Sequence, residues 1–172
     1  MAHTLDDKTT LAAVRVLIKR EAHYSAVRTL IAHSRSQPHV VTCTIRILLS
    51  QWNAVQSVTL AKSLEPIFFA IDLLAIARPG KALIDSVIKE AARAGLCGYF
   101  PDLPKRVLGR NPDETEMTLL ISNYVKNKAV QSSTAEAKLV RMAESYCSKH
   151  VAEEQIARIR AFKKEWDEDI SL

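Results

Sequence analysis

The sequence predicts an all-α protein, and three observations support this fold class. Apolar residues recur at intervals of three and four along most of the chain, as they do on one face of a helix. Four glycines and six prolines in 172 residues are too few for the many tight turns of a β-sandwich. Hydrophobic residues make up 48% of the chain and charged residues 25%, a composition that excludes a disordered protein. We expect seven or eight helices.

The N-terminal part predicts three successive helices. The apolar spacing places the first over about residues 7–22 and the second over residues 24–33. A polar segment at 33–37 then breaks the pattern. Pro38 suits the first turn of a third helix, because its missing N–H needs no partner there. This helix is expected to reach about Gln51.

Two further helices follow, and the first of them is apolar all round. It is expected over residues 66–77, where Arg78-Pro79-Gly80 ends it, and the next over 81–94, with Gly95 as its C-terminal stop. A helix that is apolar on every side is buried in a core or in a subunit interface. From residues 66–77 we therefore expect an obligate oligomer.

The second half begins with an irregular connector over residues 95–111, which holds one short helical turn at 103–108. A strong helix start follows at 111–114, with Asn111 as the cap and Pro112 in the first position. Acidic side chains then favour the positive end of the helix dipole.

The remaining helices are predicted from a capping pattern and from charge. Ser133 and Glu136 match a capping box for a helix that reaches about His150. The highly charged tail, residues 153–169, predicts a last, weakly amphipathic helix. We divide the chain into a helical core domain over residues 1–110 and a C-terminal helical extension over 111–172, which offers an interaction surface.

The N-terminus and the cysteines indicate the compartment. The first residues lack the basic start and apolar run of a signal peptide, and no stretch of 18 apolar residues exists. Cys43, Cys97 and Cys147 are far apart and form no CxxC pair, so we expect neither disulfides nor a zinc site. We expect a cytoplasmic protein with reduced thiols, no cofactor, no bound metal and no membrane segment.

Charge is distributed unevenly along the chain. The formal net charge is +5 and the isoelectric point is about 9.2, but residues 22–64 contain no Asp or Glu. Residues 111–172, in contrast, hold nine basic and eleven acidic side chains. Basic side chains neutralise phosphates and release counterions, so the front half is the candidate for nucleic-acid binding. The alternative is that the acid-free stretch forms a buried helical pair.

The local pattern within residues 24–51 is helix, short polar turn, helix. In a helix-turn-helix motif, early residues of the second helix read base edges, while the first helix and the turn contact phosphates. A plain helical hairpin is the alternative, because the turn lacks the usual glycine. The DNA-binding residues that this motif predicts are, for phosphates, Arg28, Arg35 and Ser36, and, for bases, His39, Thr42 and Arg46.

A family resemblance rests on residues 12–49 and on the helical pair that follows. The segments that carry it are Leu17-Ile18, Val27-Arg28-Thr29-Leu30-Ile31-Ala32-His33-Ser34, Val40-Val41, Ile45-Arg46-Ile47-Leu48, Pro66 to Ile71 and Leu83 to Ala91. This part of the chain resembles the FlhC subunit of the flagellar master activator and related two-subunit activators of conjugative elements. The resemblance implies a transcription activator that works with a second subunit and contacts RNA polymerase. The family's four-cysteine zinc site is absent, which implies a divergent, zinc-free branch.

Enzymatic readings have weaker support in the residues. Arg28 and His33 fit the Arg-x4-His spacing of helical HEPN-type ribonucleases, in which the pair serves phosphoryl transfer. The spacing is unselective in a chain with this many arginines, and a helix-end histidine explains it equally well. Our interpretation is therefore a DNA-binding transcriptional regulator within an oligomer, and not an enzyme. The alternatives are a helical adaptor protein and the ribonuclease.

Overall fold

The computed structural model describes residues 5–19, 24–55, 64–126 and 133–169. These residues form nine α-helices, more than the seven or eight expected, and one short 3₁₀ helix, and they contain no β-strand. The predicted all-α class is confirmed. Within the described residues, no helix is long and apolar enough to cross a membrane.

The chain divides into two compact units, Met1–Val87 and Ile88–Leu172. This division by contacts does not test the predicted division between a core domain and an extension near residue 110, which stays a prediction. The helices are α1 (Asp7–Lys19), α2 (Tyr24–Ala32), α3 (Gln37–Val55), α4 (Glu65–Leu73), α5 (Lys81–Arg93), α6 (Asp102–Leu108), α7 (Glu114–Lys126), α8 (Ser133–Tyr146) and α9 (Lys149–Asp169). The 3₁₀ helix is Cys97–Tyr99.

Helix α3 is the centre of the first unit, and it packs against α1, α2 and α4. One face of α3 is buried because its apolar residues recur at helical spacing. Burial of each large aliphatic side chain contributes about 1.5–3 kcal/mol relative to exposure. The buried residues of this face are Val40, Val41, Thr44, Ile45, Leu48, Leu49 and Trp52.

The start of α1 is tied to the turn between α2 and α3. The Leu5 N–H donates to the carbonyl of His33 at 3.0 Å, and the Arg35 N–H donates to the carbonyl of Leu5 at 3.1 Å. The Ser36 N–H donates to Asp7 Oδ1 at 2.9 Å. These bonds hold the polar turn that precedes α3 against the N-terminus of α1.

Helix α4 is shorter than the predicted helix over residues 66–77, because the chain leaves α-helical geometry after Leu73 and forms turns over 74–76. Its apolar residues are mostly buried, and α4 packs on α3. Ile76, which lies beyond the helix, is 41% exposed. The all-round apolar character from which we predicted an oligomer is therefore explained by burial within this chain, and the oligomer stays a prediction.

The cap of helix α7 lies two residues later than predicted, and the helix begins at Glu114. The Glu116 N–H donates to Asp113 Oδ1 at 2.8 Å, and the Asp113 N–H donates to Glu116 Oε2 at 2.9 Å. This reciprocal pair is a capping box. Asp113, and not Asn111, caps the helix, so Pro112 precedes the cap instead of occupying the first helical position.

The second unit is built mainly from α7, α8 and α9, which pack against one another. Helix α8 ends at Tyr146, before the predicted His150, and α9 begins at Lys149 instead of residue 153. The reason is that Ser148 starts α9: its carbonyl accepts the Ala152 N–H at 2.8 Å. The predicted contact of Ser133 with Glu136 lies outside the described side chains.

A candidate nucleic-acid interface

A groove runs between α1 and α3 in the first unit. Its volume is about 620 Å³. Because α3 packs against α1 along its buried face, the residues next to that face border the groove on both helices. The described residues that line it are Arg15, Ile18, Lys19, Cys43, Arg46, Ile47, Ser50 and Gln51.

Three cationic side chains share this groove. Arg15 and Lys19 lie four residues apart on α1, which places them one above the other on the same face, and Arg46 lies on α3. All three are exposed. No carboxylate is among the described lining residues, so the groove concentrates positive charge that attracts anions.

Arg46 lies on the outer side of α3, as the sequence predicted. Its neighbours Ile45 and Leu48 are fully buried, whereas Arg46 is exposed. No hydrogen bond or ion pair joins Arg46 to another residue in the described part of the chain. Among the described residues, therefore, nothing occupies the five donors of its guanidinium.

The other two predicted base-reading residues are near Arg46 in sequence but differ in their hydrogen bonds. The Thr42 hydroxyl donates to the carbonyl of Pro38 at 2.8 Å, so it is used within the helix. His39 is exposed, and its Nε2 lies 3.8 Å from Sγ of Cys43. Of the three, Arg46 has the greatest freedom to reach a base edge.

Arg35 and Ser36 occupy the turn before α3. Arg35 is exposed, and its backbone is fixed by the bond to Leu5. Ser36 begins α3, because its carbonyl accepts the Val40 N–H at 3.1 Å. The Asp7 carboxylate already accepts the Ser36 N–H. This negative charge disfavours a phosphate at Ser36, whereas Arg35 remains suited to one.

Arg28 lies away from the other predicted residues, in a second groove between α2 and α4. Its Nη2 is 2.5 Å from Oδ2 of Asp72, and its guanidinium lies 5.6 Å from the centre of the Phe69 ring. Glu65 also lines this groove. Arg28 belongs to the acid-free stretch of sequence, but acidic residues of α4 lie beside it in the folded chain. An ion pair within the chain therefore explains Arg28 without a phosphate contact.

The ribonuclease alternative rests on Arg28 and His33, and both have structural partners. Nδ1 of His33 lies 2.8 Å from the carbonyl of Thr29 in the preceding turn, and Arg28 pairs with Asp72. The described residues contain no group of three or more His, Cys, Asp or Glu that could hold a metal ion. The geometry gives no further support to phosphoryl-transfer chemistry.

Sequence reasoning missed Arg15 and Lys19. A signal was present: Val14 and Ile18 are buried, so their sequence neighbours Arg15 and Lys19 lie together beside the packed face of α1. What the sequence could not supply was the helix on which that face packs.

Comparison of this chain with models of protein families, with curated proteins and with solved structures found no match.

Proposed function

We propose that the N-terminal unit binds double-stranded DNA along the outer face of α3, and that the protein is a cytoplasmic transcriptional regulator. The observation that carries this proposal is the cluster of Arg15, Lys19 and Arg46 around one groove, without a described carboxylate among the lining residues. Phosphate contacts supply most of the non-specific affinity of DNA-binding proteins.

The roles within this interface follow from position. Arg46 is exposed and has no partner among the described residues, so it is the base-reading candidate on α3, with guanine as its preferred base. Arg15 and Lys19 flank it on α1 and suit phosphates, as does Arg35 at the turn. Helix α3 has 19 residues and is about 28 Å long, enough to lie along a major groove.

The assembly that we propose follows the resemblance to FlhC-type subunits. The regulator acts as an activator in an oligomer with a second subunit and contacts RNA polymerase. In this proposal Arg15 and Lys19, and not Arg28, contact phosphates of the duplex, because Arg28 is already paired with Asp72.

Duplex binding by charge-matched variants tests the proposal. A preferred duplex is first selected from a random pool with the full-length protein, and binding is then measured by fluorescence anisotropy against a scrambled duplex. Arg46→Ala is expected to weaken binding to the selected duplex by about 1–3 kcal/mol. Arg15→Ala is expected to weaken both duplexes equally.

Arg78→Ala is the matched control. Arg78 is an exposed arginine of the same unit that does not line the groove, so its loss changes the net charge equally and leaves the groove intact. All three variants should change the free energy of unfolding by no more than about 0.5 kcal/mol. If Arg46→Ala and Arg15→Ala bind both duplexes as Arg78→Ala does, the groove is not the DNA interface.

A non-catalytic helical adaptor is the second candidate, and the groove between α2 and α4 favours it. This groove exposes part of Tyr24 and Phe68, and its described lining holds one cation, Arg28, and two carboxylates, Glu65 and Asp72. Such a surface suits a protein partner better than DNA. An adaptor keeps its partner when Arg15 and Arg46 are neutralised and loses it when Phe68 is replaced by Glu.

A further inference from the structure

The groove between α1 and α3 is open to solvent and combines charge with apolar surface. Ile18 and Ile47 line it together with the three cations, and the stems of long basic side chains add further apolar surface. Its volume of about 620 Å³ is within the range of small-molecule sites, about 300–1,000 Å³. A contact with a DNA phosphate uses only the charged groups of this lining, so the apolar groups have no role in such a contact.

We propose that this groove binds a small organic oxyanion with a compact apolar body. The phosphate or carboxylate of the ligand lies among Arg15, Lys19 and Arg46, and its ring or short chain packs on the half-buried Ile47 and on the aliphatic stems of the basic side chains. Because Arg46 is then engaged, the ligand competes with DNA for this side chain. The regulatory part rests on the proposed DNA binding, whereas the ligand site itself does not.

Two cysteines provide a reporter and its internal control. Cys43 lines the groove and is half-buried, so a bound ligand shields its thiol from a small alkylating reagent. Cys147 is also half-buried, but it belongs to the second unit and does not line this groove. Cys97 is buried, so its modification marks unfolded protein.

The experiment measures alkylation of the full-length protein by iodoacetamide, with each cysteine followed by peptide mass spectrometry. Phenyl phosphate and benzoate represent the two kinds of oxyanion, and inorganic phosphate and phenol represent the separate halves of the ligand. When its concentration is about ten times its dissociation constant, a ligand of the groove is expected to slow the alkylation of Cys43 about tenfold. Cys147 should react at an unchanged rate.

The controls separate a built site from simple attraction of anions. At the concentration at which phenyl phosphate protects, inorganic phosphate and phenol are each expected to protect less than about twofold. Arg46→Gln is expected to abolish protection, and Arg78→Gln to retain it. Equal protection by inorganic phosphate and phenyl phosphate, or no protection by either organic anion, would overturn the ligand site.

A second measurement tests the regulation. Duplex binding is compared in phenyl phosphate and in inorganic phosphate at equal ionic strength, and weaker binding is expected in phenyl phosphate. If Cys43 is protected but duplex binding is the same in both, the competition with DNA is overturned and the ligand site stands. If the wild-type protein binds no duplex at all, the proposed function fails, and the alkylation result alone decides the ligand site.

Discussion

At the scale of single residues, the Glu114 carboxylate links two parts of the second unit. It accepts the backbone N–H of Ser148 at 2.7 Å, and this bond, together with one from the Ser148 hydroxyl, lowers the pKa of Glu114. Because the pKa is lower in the folded state, the carboxylate favours folding at neutral pH. This contribution is lost as the pH falls through the lowered pKa.

The neighbouring thiol of Cys147 gives a pH-dependent prediction. Partial burial raises the pKa of Cys147, and the negative charge of Glu114 raises it further. We expect the midpoint of its alkylation rate to lie at a higher pH in the folded protein than in urea. Glu114→Gln should lower that midpoint, because the amide carries no charge but keeps an acceptor for Ser148.

The measurement is the iodoacetamide rate at Cys147 across the alkaline range, with Asp102→Asn as a control that removes an exposed acid elsewhere in the same unit. A midpoint that Glu114→Gln leaves unchanged would show that the carboxylate does not act on this thiol.

At the scale of elements, the start of α7 depends on an ion pair between the buried Glu116 and the partly exposed Arg110. The Glu116 side chain is fully buried, and it accepts two bonds from Arg110, at 2.6 Å from Nη2 and 2.9 Å from Nη1. Its Oε2 also caps the helix through the Asp113 N–H. A charge without solvent is stable only when it is paired in this way.

Removal of the cation should therefore be more harmful than removal of both charges. We expect Arg110→Ala to lower the free energy of unfolding by about 3–5 kcal/mol, because it leaves the buried Glu116 carboxylate unpaired. The double variant Arg110→Ala with Glu116→Leu should recover part of this loss. Urea denaturation followed by circular dichroism measures both values. A double variant less stable than Arg110→Ala would contradict this account.

Helix positions were predictable from the sequence, but most of their ends were not. The periodicity of apolar residues located the helices, and Gly95 was correctly predicted as a stop, since its φ of 70° is one that glycine adopts readily. The ends depend on individual hydrogen bonds. Asp113 caps α7 instead of Asn111 because Asp113 and Glu116 exchange two bonds. Ser148 starts α9 because its carbonyl accepts the Ala152 N–H.

The candidate site was predictable only where it depends on one helix. The exposure of Arg46 follows from the buried stripe of α3. The partner of Arg28, in contrast, is Asp72, 44 residues away, and no local pattern indicates that pair. Arg15 and Lys19 were missed because they share a groove with Arg46 only when α1 packs against α3, and no local pattern predicts that packing.

At the scale of the whole molecule, the two units differ in charge. The segment Met1–Val87 has ten basic and six acidic residues, a net charge of +4, whereas Ile88–Leu172 has fourteen and thirteen, a net charge of +1. The excess positive charge thus belongs to the unit that contains the groove. Long-range attraction of an anionic duplex should be directed to that unit.

The salt dependence of duplex binding tests whether local or total charge matters. Each phosphate contact contributes about −0.9 to the slope of log K against log salt. We expect Arg15→Ala with Lys19→Ala to reduce the slope by about two, and Arg35→Ala by about one. Arg78→Ala with Lys81→Ala removes two charges outside the groove and should leave the slope unchanged. Equal slopes for the two double variants would mean that only net charge attracts DNA.

The bonds between the start of α1 and the turn before α3 have a mechanical consequence. They join Leu5 and Asp7 to His33, Arg35 and Ser36, so the start of α1 and the start of α3 are held together at one end, ahead of the residues that line the groove. This link consists of two backbone bonds and one bond to the Asp7 carboxylate, and it uses no side chain of the apolar core. Unless these bonds break, α1 and α3 can move apart around the groove only by rotating about the end at which they are joined.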